Sequence, residues 1–206
     1  MIDLDKSDTG IWTVTLNRPD KANSLTTEML EDLAQIALDA QSARGFILTG
    51  VGKVFSAGAD LDAAKAGLAT SGVWEKLSSR IAALECMTIA ALNGTLAGGA
   101  MGMALACDLR IAVPSAKFFY PVMKLGFLPQ PSDPRRMAGL IGPARTKMIL
   151  MSGQKITADV AYDYGLIDRI VEPDDLIQTA QDLLADSVSA TAQHSAAIKA
   201  MIDAHN

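Results

Sequence analysis

The chain is organised around two glycine-rich turns, FSAGADL (Phe55–Leu61) and NGTLAGGA (Asn93–Ala100). Each turn follows an apolar run typical of a buried strand, over residues 45–49 and 88–92, and precedes a sequence that favours a helix. Two backbone N–H groups presented by such turns can bind one oxygen atom that carries developing negative charge, as in an oxyanion hole. The turns therefore indicate chemistry at a thioester carbonyl.

Apolar spacing on either side of the turns predicts the remaining elements. Strands that alternate with helices favour an α/β fold with a largely parallel sheet. We expect strands over 11–16, 108–113 and 167–171, a helix capped by Ser24 or Thr26, and helices over 74–86, 98–106, 135–140, 143–151, 157–162, 174–188 and 192–202. With no internal repeat and no long linker, residues 1–206 are predicted to form one domain.

The composition excludes several classes of protein. Half of the 206 residues are hydrophobic and 20% are charged, which argues against a disordered chain. A net charge of −5 argues against nucleic acid as a partner, because there is no basic surplus to displace counterions. Cys86 and Cys107 lie in apolar runs, so we expect buried, reduced thiols rather than a disulfide or a metal site.

The sequence carries no sign of export or of membrane insertion. The amino terminus lacks a basic region followed by an apolar stretch, so no secretory signal is predicted. Residues 90–106 form the longest apolar segment, but they are interrupted by Asn93 and several glycines. We therefore expect a soluble, cytoplasmic protein with no membrane partner.

Several short motifs follow one another in a fixed order from near residue 10 to near residue 200. They are LNRP (16–19), NSL (23–25), FSAGADL (55–61), ALNG (91–94), GG (98–99), ACD (106–108), LG (125–126), SG (152–153) and YGLI (164–167). In this order and spacing the chain resembles the crotonase superfamily, also called the enoyl-CoA hydratase/isomerase family. The resemblance implies a spiral of ββα repeats that forms two roughly perpendicular sheets, with peripheral carboxyl-terminal helices. It also implies an acyl-CoA substrate, with coenzyme A bound only as part of the thioester and no permanent cofactor or metal.

The resemblance further implies the residues of the site. The amides that match the family's oxyanion hole belong to Ala59 and Gly99. The positions that match its coenzyme A contacts are Lys21, Ala22, Ala57, Asp60 and Leu61. Asp60 has a second interpretation as a helix cap, and Gly102 has one as a position of close helix packing.

The chain departs from the family where the resemblance places the two glutamates of the hydratases. Gly102 and Val122 occupy those positions, and neither side chain accepts a proton. Asp133 and Tyr120 are the remaining candidates for proton transfer. Asp133 has an alternative role as the cap of a helix that begins at Pro134, and Tyr120 as an aromatic wall of the pocket.

The resemblance also sets expectations for assembly and activity. Family members continue beyond the helix that matches 192–202, so the last carboxyl-terminal helices are expected to be absent here. A homo-oligomer, a trimer or a hexamer, is implied. We expect a lyase or isomerase of fatty acid metabolism that stabilises an enolate. The alternative is a noncatalytic acyl-CoA-binding homologue or a subunit of a hetero-oligomer.

Overall fold

The computed structural model describes residues 1–204, which form two β-sheets and the helices around them. The strands are β1 (Ile2–Lys6), β2 (Ile11–Leu16), β3 (Gly45–Gly50), β4 (Val54–Ser56), β5 (Met87–Leu92), β6 (Thr95–Ala97), β7 (Leu109–Ala112), β8 (Lys117–Phe119), β9 (Ile156–Thr157) and β10 (Arg169–Ile170). The helices are α1 (Thr27–Asp39), α2 (Leu61–Lys65), α3 (Val73–Ala82), α4 (Met101–Leu105), α5 (Val122–Leu125), α6 (Asp133–Leu150), α7 (Ala158–Tyr164), α8 (Leu176–Ser189) and α9 (Ala192–Asp203). Short 3-10 turns connect some of them.

The two sheets are built by successive pairs of strands. Within residues 1–204 the larger sheet has the order β1-β2-β3-β5-β7-β10, and the smaller has the order β4-β6-β8-β9. Each of the pairs β3/β4, β5/β6 and β7/β8 gives one strand to each sheet before the chain enters a helix. Pairing is parallel except between β1 and β2 and between β8 and β9. This arrangement confirms the predicted α/β fold of ββα repeats.

The hydrophobic core lies against the larger sheet. Strands β3 and β5 are buried along almost their whole length, which explains their nearly continuous apolar sequence. Helix α8 packs against both strands, and α1 packs against α3. Helix α1 begins where the Thr26 hydroxyl accepts a hydrogen bond from the Met29 amide at 3.2 Å, so Thr26 is the cap.

Element boundaries differ from the predictions in a few places. The strand over 11–16 is confirmed, whereas the helix predicted over 74–86 ends at Ala82 and the strand over 167–171 is reduced to two residues. The predicted helices over 135–140 and 143–151 are two parts of α6, which is kinked at Gly142 with φ +78° before Pro143. No helix in residues 1–204 is both long enough and apolar enough to cross a membrane.

Candidate active site

The two glycine-rich turns touch each other through their backbones. Strands β4 and β6 run parallel and adjacent, and each contributes residues to one of the turns. Gly58 and Gly98 have φ angles of +91° and +58°, a region that favours glycine. A Cβ atom on Gly58 would lie 3.0 Å from the carbonyl oxygen of Ala97. Glycine at this position therefore allows the close approach of the residues that precede Ala59 and Gly99.

The amides of Ala59 and Gly99 are held on well-supported backbone. Leu25 donates its N–H to the Gly58 carbonyl at 2.8 Å, and Asp60 donates its N–H to the Leu25 carbonyl at 2.8 Å, so Ala59 is fixed from both sides. Gly99 lies in a 3-10 turn that leads into α4, with the Trp74 ring packed against it. Within residues 1–204 neither the Ala59 nor the Gly99 amide donates a hydrogen bond to the protein. Both donors are thus available to a ligand.

The Asp133 carboxylate is buried against α4. Asp133 is fully buried, and the Tyr120 hydroxyl donates a hydrogen bond to its Oδ2 at 2.9 Å. Its Oδ1 has no hydrogen-bond partner among the described residues and would lie 2.7 Å from a Cβ atom on Gly102. Gly102 follows Gly99 by about one helical turn. The structure therefore brings Asp133, Tyr120 and Gly102 together near the second glycine-rich turn, whereas Val122 is a buried apolar residue at the start of α5.

Burial changes the acid–base properties of this pair. Burial raises the pKa of Asp133 to about 7, with a smaller raising effect from the charge of Glu75, while the Tyr120 hydrogen bond and the Arg136 charge lower it. Burial and the adjacent Asp133 raise the pKa of Tyr120 as well. Tyr120 therefore remains a hydrogen-bond donor at neutral pH, and Asp133 is able to gain and lose a proton there.

The helix-cap interpretation is wrong for Asp133 and confirmed for Asp60. Helix α6 begins at Asp133 with Ser132 as the residue before it, and the Asp133 side chain turns inward to Tyr120 instead of accepting from the first amides of the helix. Asp60 accepts hydrogen bonds from the amides of Asp62 at 3.1 Å and Ala63 at 3.3 Å, and so caps α2. Its other oxygen pairs with the Arg18 guanidinium at 2.8 Å, which holds the pKa of Asp60 below its usual value.

The other residues with predicted coenzyme A contacts border the first glycine-rich turn. Ala57 donates its N–H to the Ala22 carbonyl at 3.0 Å, and Lys21 is exposed at the end of the short 3-10 turn that precedes Ala22. The Leu61 side chain is 80% exposed. Lys21, Ala22 and Ala57 thus share one edge of the turn, and their contact with coenzyme A stays a prediction.

Sequence analysis missed a second set of polar contacts beside Asp133. The Glu75 carboxylate on α3 accepts hydrogen bonds from the Ser132 amide at 3.2 Å and from the Ser132 hydroxyl. Glu75 and Ser132 lie far apart in the sequence, and neither belongs to a recognisable motif. No local signal could have joined them.

Replacing Asp133 with asparagine is expected to change the pH dependence of stability. Burial raises the pKa of Asp133 to about 7 in the native state, whereas the unfolded chain loses this proton near the ordinary aspartate pKa of 3.8. Between these values the native state binds more protons, so the free energy of unfolding falls as pH rises through this range. Asparagine does not ionise, so its contribution to the free energy of unfolding does not change with pH. From pH 5 to pH 8 the free energy of unfolding of the variant should therefore rise relative to that of the wild type by about 2–3 kcal/mol. Urea unfolding at both pH values measures this, and an equal difference at both would contradict it.

Comparisons with known proteins agree on one family. The sequence profile described as Enoyl-CoA hydratase/isomerase matches residues 6–206. The chain is 34% identical over 185 residues to the short-chain-enoyl-CoA hydratase of Clostridium acetobutylicum, which covers 85% of this chain and 71% of that protein. It is 33% identical over 192 residues to the 1,2-epoxyphenylacetyl-CoA isomerase of Escherichia coli, covering 87% and 73%. The crystal structure of an enoyl-CoA hydratase from Bacillus anthracis superposes with a TM-score of 0.91 at 31% identity, over 98% of this chain and 82% of that one.

Proposed function

Because the chain belongs to the enoyl-CoA hydratase/isomerase family, we propose that it is an acyl-CoA isomerase that moves a proton with one buried carboxyl group, Asp133. The thioester oxygen would be held by the amides of Ala59 and Gly99. The observation that carries the proposal is the Asp133 carboxylate, which is hydrogen-bonded to Tyr120 and packed against Gly102 beside the second glycine-rich turn.

Asp133 supplies the acid that α4 lacks. The resemblance places a glutamate of the hydratases at Gly102, and the Oδ1 atom of Asp133 lies 2.7 Å from where a side chain on that residue would begin. A carboxyl group from α6 would therefore replace one from α4. Glycine at position 102 is then a requirement, since any larger residue would displace Asp133.

One carboxyl group favours a shift of a double bond over the addition of water. Hydration needs one group to activate water and a proton donor for the neighbouring carbon. The resemblance assigns the second acid to Val122, which is apolar and buried. A double-bond shift needs a single group that removes a proton and returns it to another carbon. The relatives are named both as an isomerase and as a hydratase, so the choice between the two reactions rests on the single carboxyl group.

The reaction would pass through an enolate. Asp133, ionised, takes the proton from carbon 2 of a 3-enoyl-CoA, and the electron pair of that C–H bond moves toward the thioester oxygen. The two amides stabilise the charge on this oxygen. Asp133 then returns the proton to carbon 4, and the double bond lies between carbons 2 and 3. A pKa of about 7 suits a group that acts as both base and acid at neutral pH.

Turnover in deuterium oxide tests the proposed reaction. A series of 3-enoyl-CoA thioesters is expected to yield 2-enoyl-CoA with less than one solvent deuterium per product, because one carboxyl group carries the same proton between the two carbons. Mass spectrometry of the product measures the deuterium. If 2-enoyl-CoA is instead converted mainly to 3-hydroxyacyl-CoA, the enzyme is a hydratase. Binding of the whole series without turnover would favour the noncatalytic homologue.

A further inference from the structure

Helix α3 contacts both halves of the candidate site with two consecutive residues. The Trp74 ring lies 3.2 Å from the Cβ position of Gly99, and its indole N–H donates to the Leu68 carbonyl at 2.8 Å. Glu75 accepts the two hydrogen bonds from Ser132. One helix therefore contacts both the turn that carries the Gly99 amide and the residue directly before Asp133.

We propose that Glu75 is a positioning residue that acts on Asp133 through Ser132. This inference rests on the proposed function, in which Asp133 transfers the proton. Glu75 would fix the start of α6 so that the carboxyl group of Asp133 stays beside Gly102, and its negative charge would add a smaller effect that favours protonated Asp133.

Glu75 holds the backbone next to Asp133 through its two hydrogen bonds with Ser132. Residues 123–128, which lead toward α6, are exposed. Among the described residues, the Asp133 amide itself is held only by the Gln130 carbonyl, at 3.1 Å, which belongs to the same loop. Glu75 is the partner from another element that binds the adjacent Ser132, through both its amide and its hydroxyl. Without this anchor the acid would depend on its own loop and on Tyr120.

The titratable and charged groups around Asp133 come from three parts of the chain. Tyr120 follows β8, Arg136 lies on α6 and Glu75 lies on α3, while α4 presents the uncharged Gly102. Glu75 raises the pKa of Asp133 and Arg136 lowers it. Arg136 also lowers the pKa of Glu75, so the cation acts on both carboxylates. Neutralising Glu75 would leave Asp133 under the influence of the cation and lower its pKa.

Three variants separate the effect of the Ser132 anchor from that of the Glu75 charge and from that of a neighbouring control substitution. Glu75→Gln removes the charge, Ser132→Ala removes the hydroxyl donor but keeps the charge, and Ser79→Ala is the matched control. Ser79 is exposed and donates to Glu75 Oε1 at 3.2 Å without contacting Ser132. We expect Glu75→Gln to lower kcat about 10-fold and to move the acid limb of the kcat profile to lower pH. Ser132→Ala should lower kcat and leave the limb in place, and Ser79→Ala should match the wild type.

A readout without turnover distinguishes this inference from the proposed reaction. The titration of the Asp133 carboxyl carbon can be followed by 13C NMR in protein labelled at aspartate, with Asp133→Asn for assignment. A shift to lower pH in Glu75→Gln, absent in Ser79→Ala, supports the inference even if no thioester is turned over. If Asp133→Asn is inactive while Glu75→Gln and Ser132→Ala keep wild-type kcat, profile and titration, the inference is overturned and the proposed function stands. Thermal unfolding confirms that each variant is folded.

Discussion

Asp133→Asn is expected to lower kcat by about 10²–10⁴-fold, the usual contribution of general acid–base catalysis. Asparagine keeps the size of the side chain and an oxygen that can accept from the Tyr120 hydroxyl, but it does not take a proton. The binding of the thioester by backbone amides should be retained, so KM should change little. Steady-state kinetics with the 3-enoyl-CoA substrate of the wild type measures both constants.

The matched control is Asp62→Asn, whose side chain is 92% exposed on α2 beside the first glycine-rich turn. It removes one negative charge without touching the buried pair and should leave kcat unchanged. The wild type should lose activity below about pH 7, because protonated Asp133 cannot act as the base. This limb should vanish with Asp133→Asn. An Asp133→Asn variant within a factor of a few of wild-type kcat would show that another group moves the proton.

The sequence predicted those parts of the fold that depend on local patterns. Strand β2 alternates apolar and polar residues and strands β3 and β5 are apolar runs, and all three lie where periodicity and turn residues indicate. Strands β4, β6 and β8 were missed, because three residues are too few to show a period. Their place in the smaller sheet is decided by pairing between distant parts of the chain.

In the candidate site too, the sequence predicted the parts that depend on local motifs and not those that depend on tertiary contacts. Local motifs single out the glycine-rich turns, and the departures at Gly102 and Val122 direct attention to Asp133. The dipeptide of Asp133 and Pro134 is also a local signal, and it favours a helix cap. Instead, the Asp133 side chain packs against Gly102 and accepts a hydrogen bond from the Tyr120 hydroxyl. These are tertiary contacts between residues that are distant in the sequence, so a local pattern cannot predict them.

The buried state of Asp133 supports the proposed role in proton transfer over a role in stability. A fully buried carboxyl group with one oxygen unsatisfied costs free energy, and native proteins contain few such groups. Apolar or fully paired residues would stabilise α6 better. A site that must exchange a proton needs the unsatisfied oxygen, so the cost is consistent with selection for catalysis.

Ala59→Pro is expected to lower kcat by about 10²–10³-fold, since proline removes one of the two amides assigned to the thioester oxygen. The Ala59 amide forms no hydrogen bond within the described part of the chain, so its loss breaks no hydrogen bond there. The change should fall on kcat, because charge on the oxygen develops as the enolate forms.

The carbonyl stretch of a bound, 13C-labelled acyl-CoA gives a measurement that does not depend on turnover. Two donors polarise the C=O bond and lower its frequency relative to the free thioester, so Ala59→Pro should recover part of this shift and Ala59→Gly, which keeps the amide, should recover none. Thermal unfolding and the affinity for coenzyme A serve as controls for the fold. A wild-type frequency equal to that of the free thioester would remove Ala59 and Gly99 from the mechanism, because an oxygen that is not polarised in the complex cannot share the charge that Asp133 creates when it takes the proton.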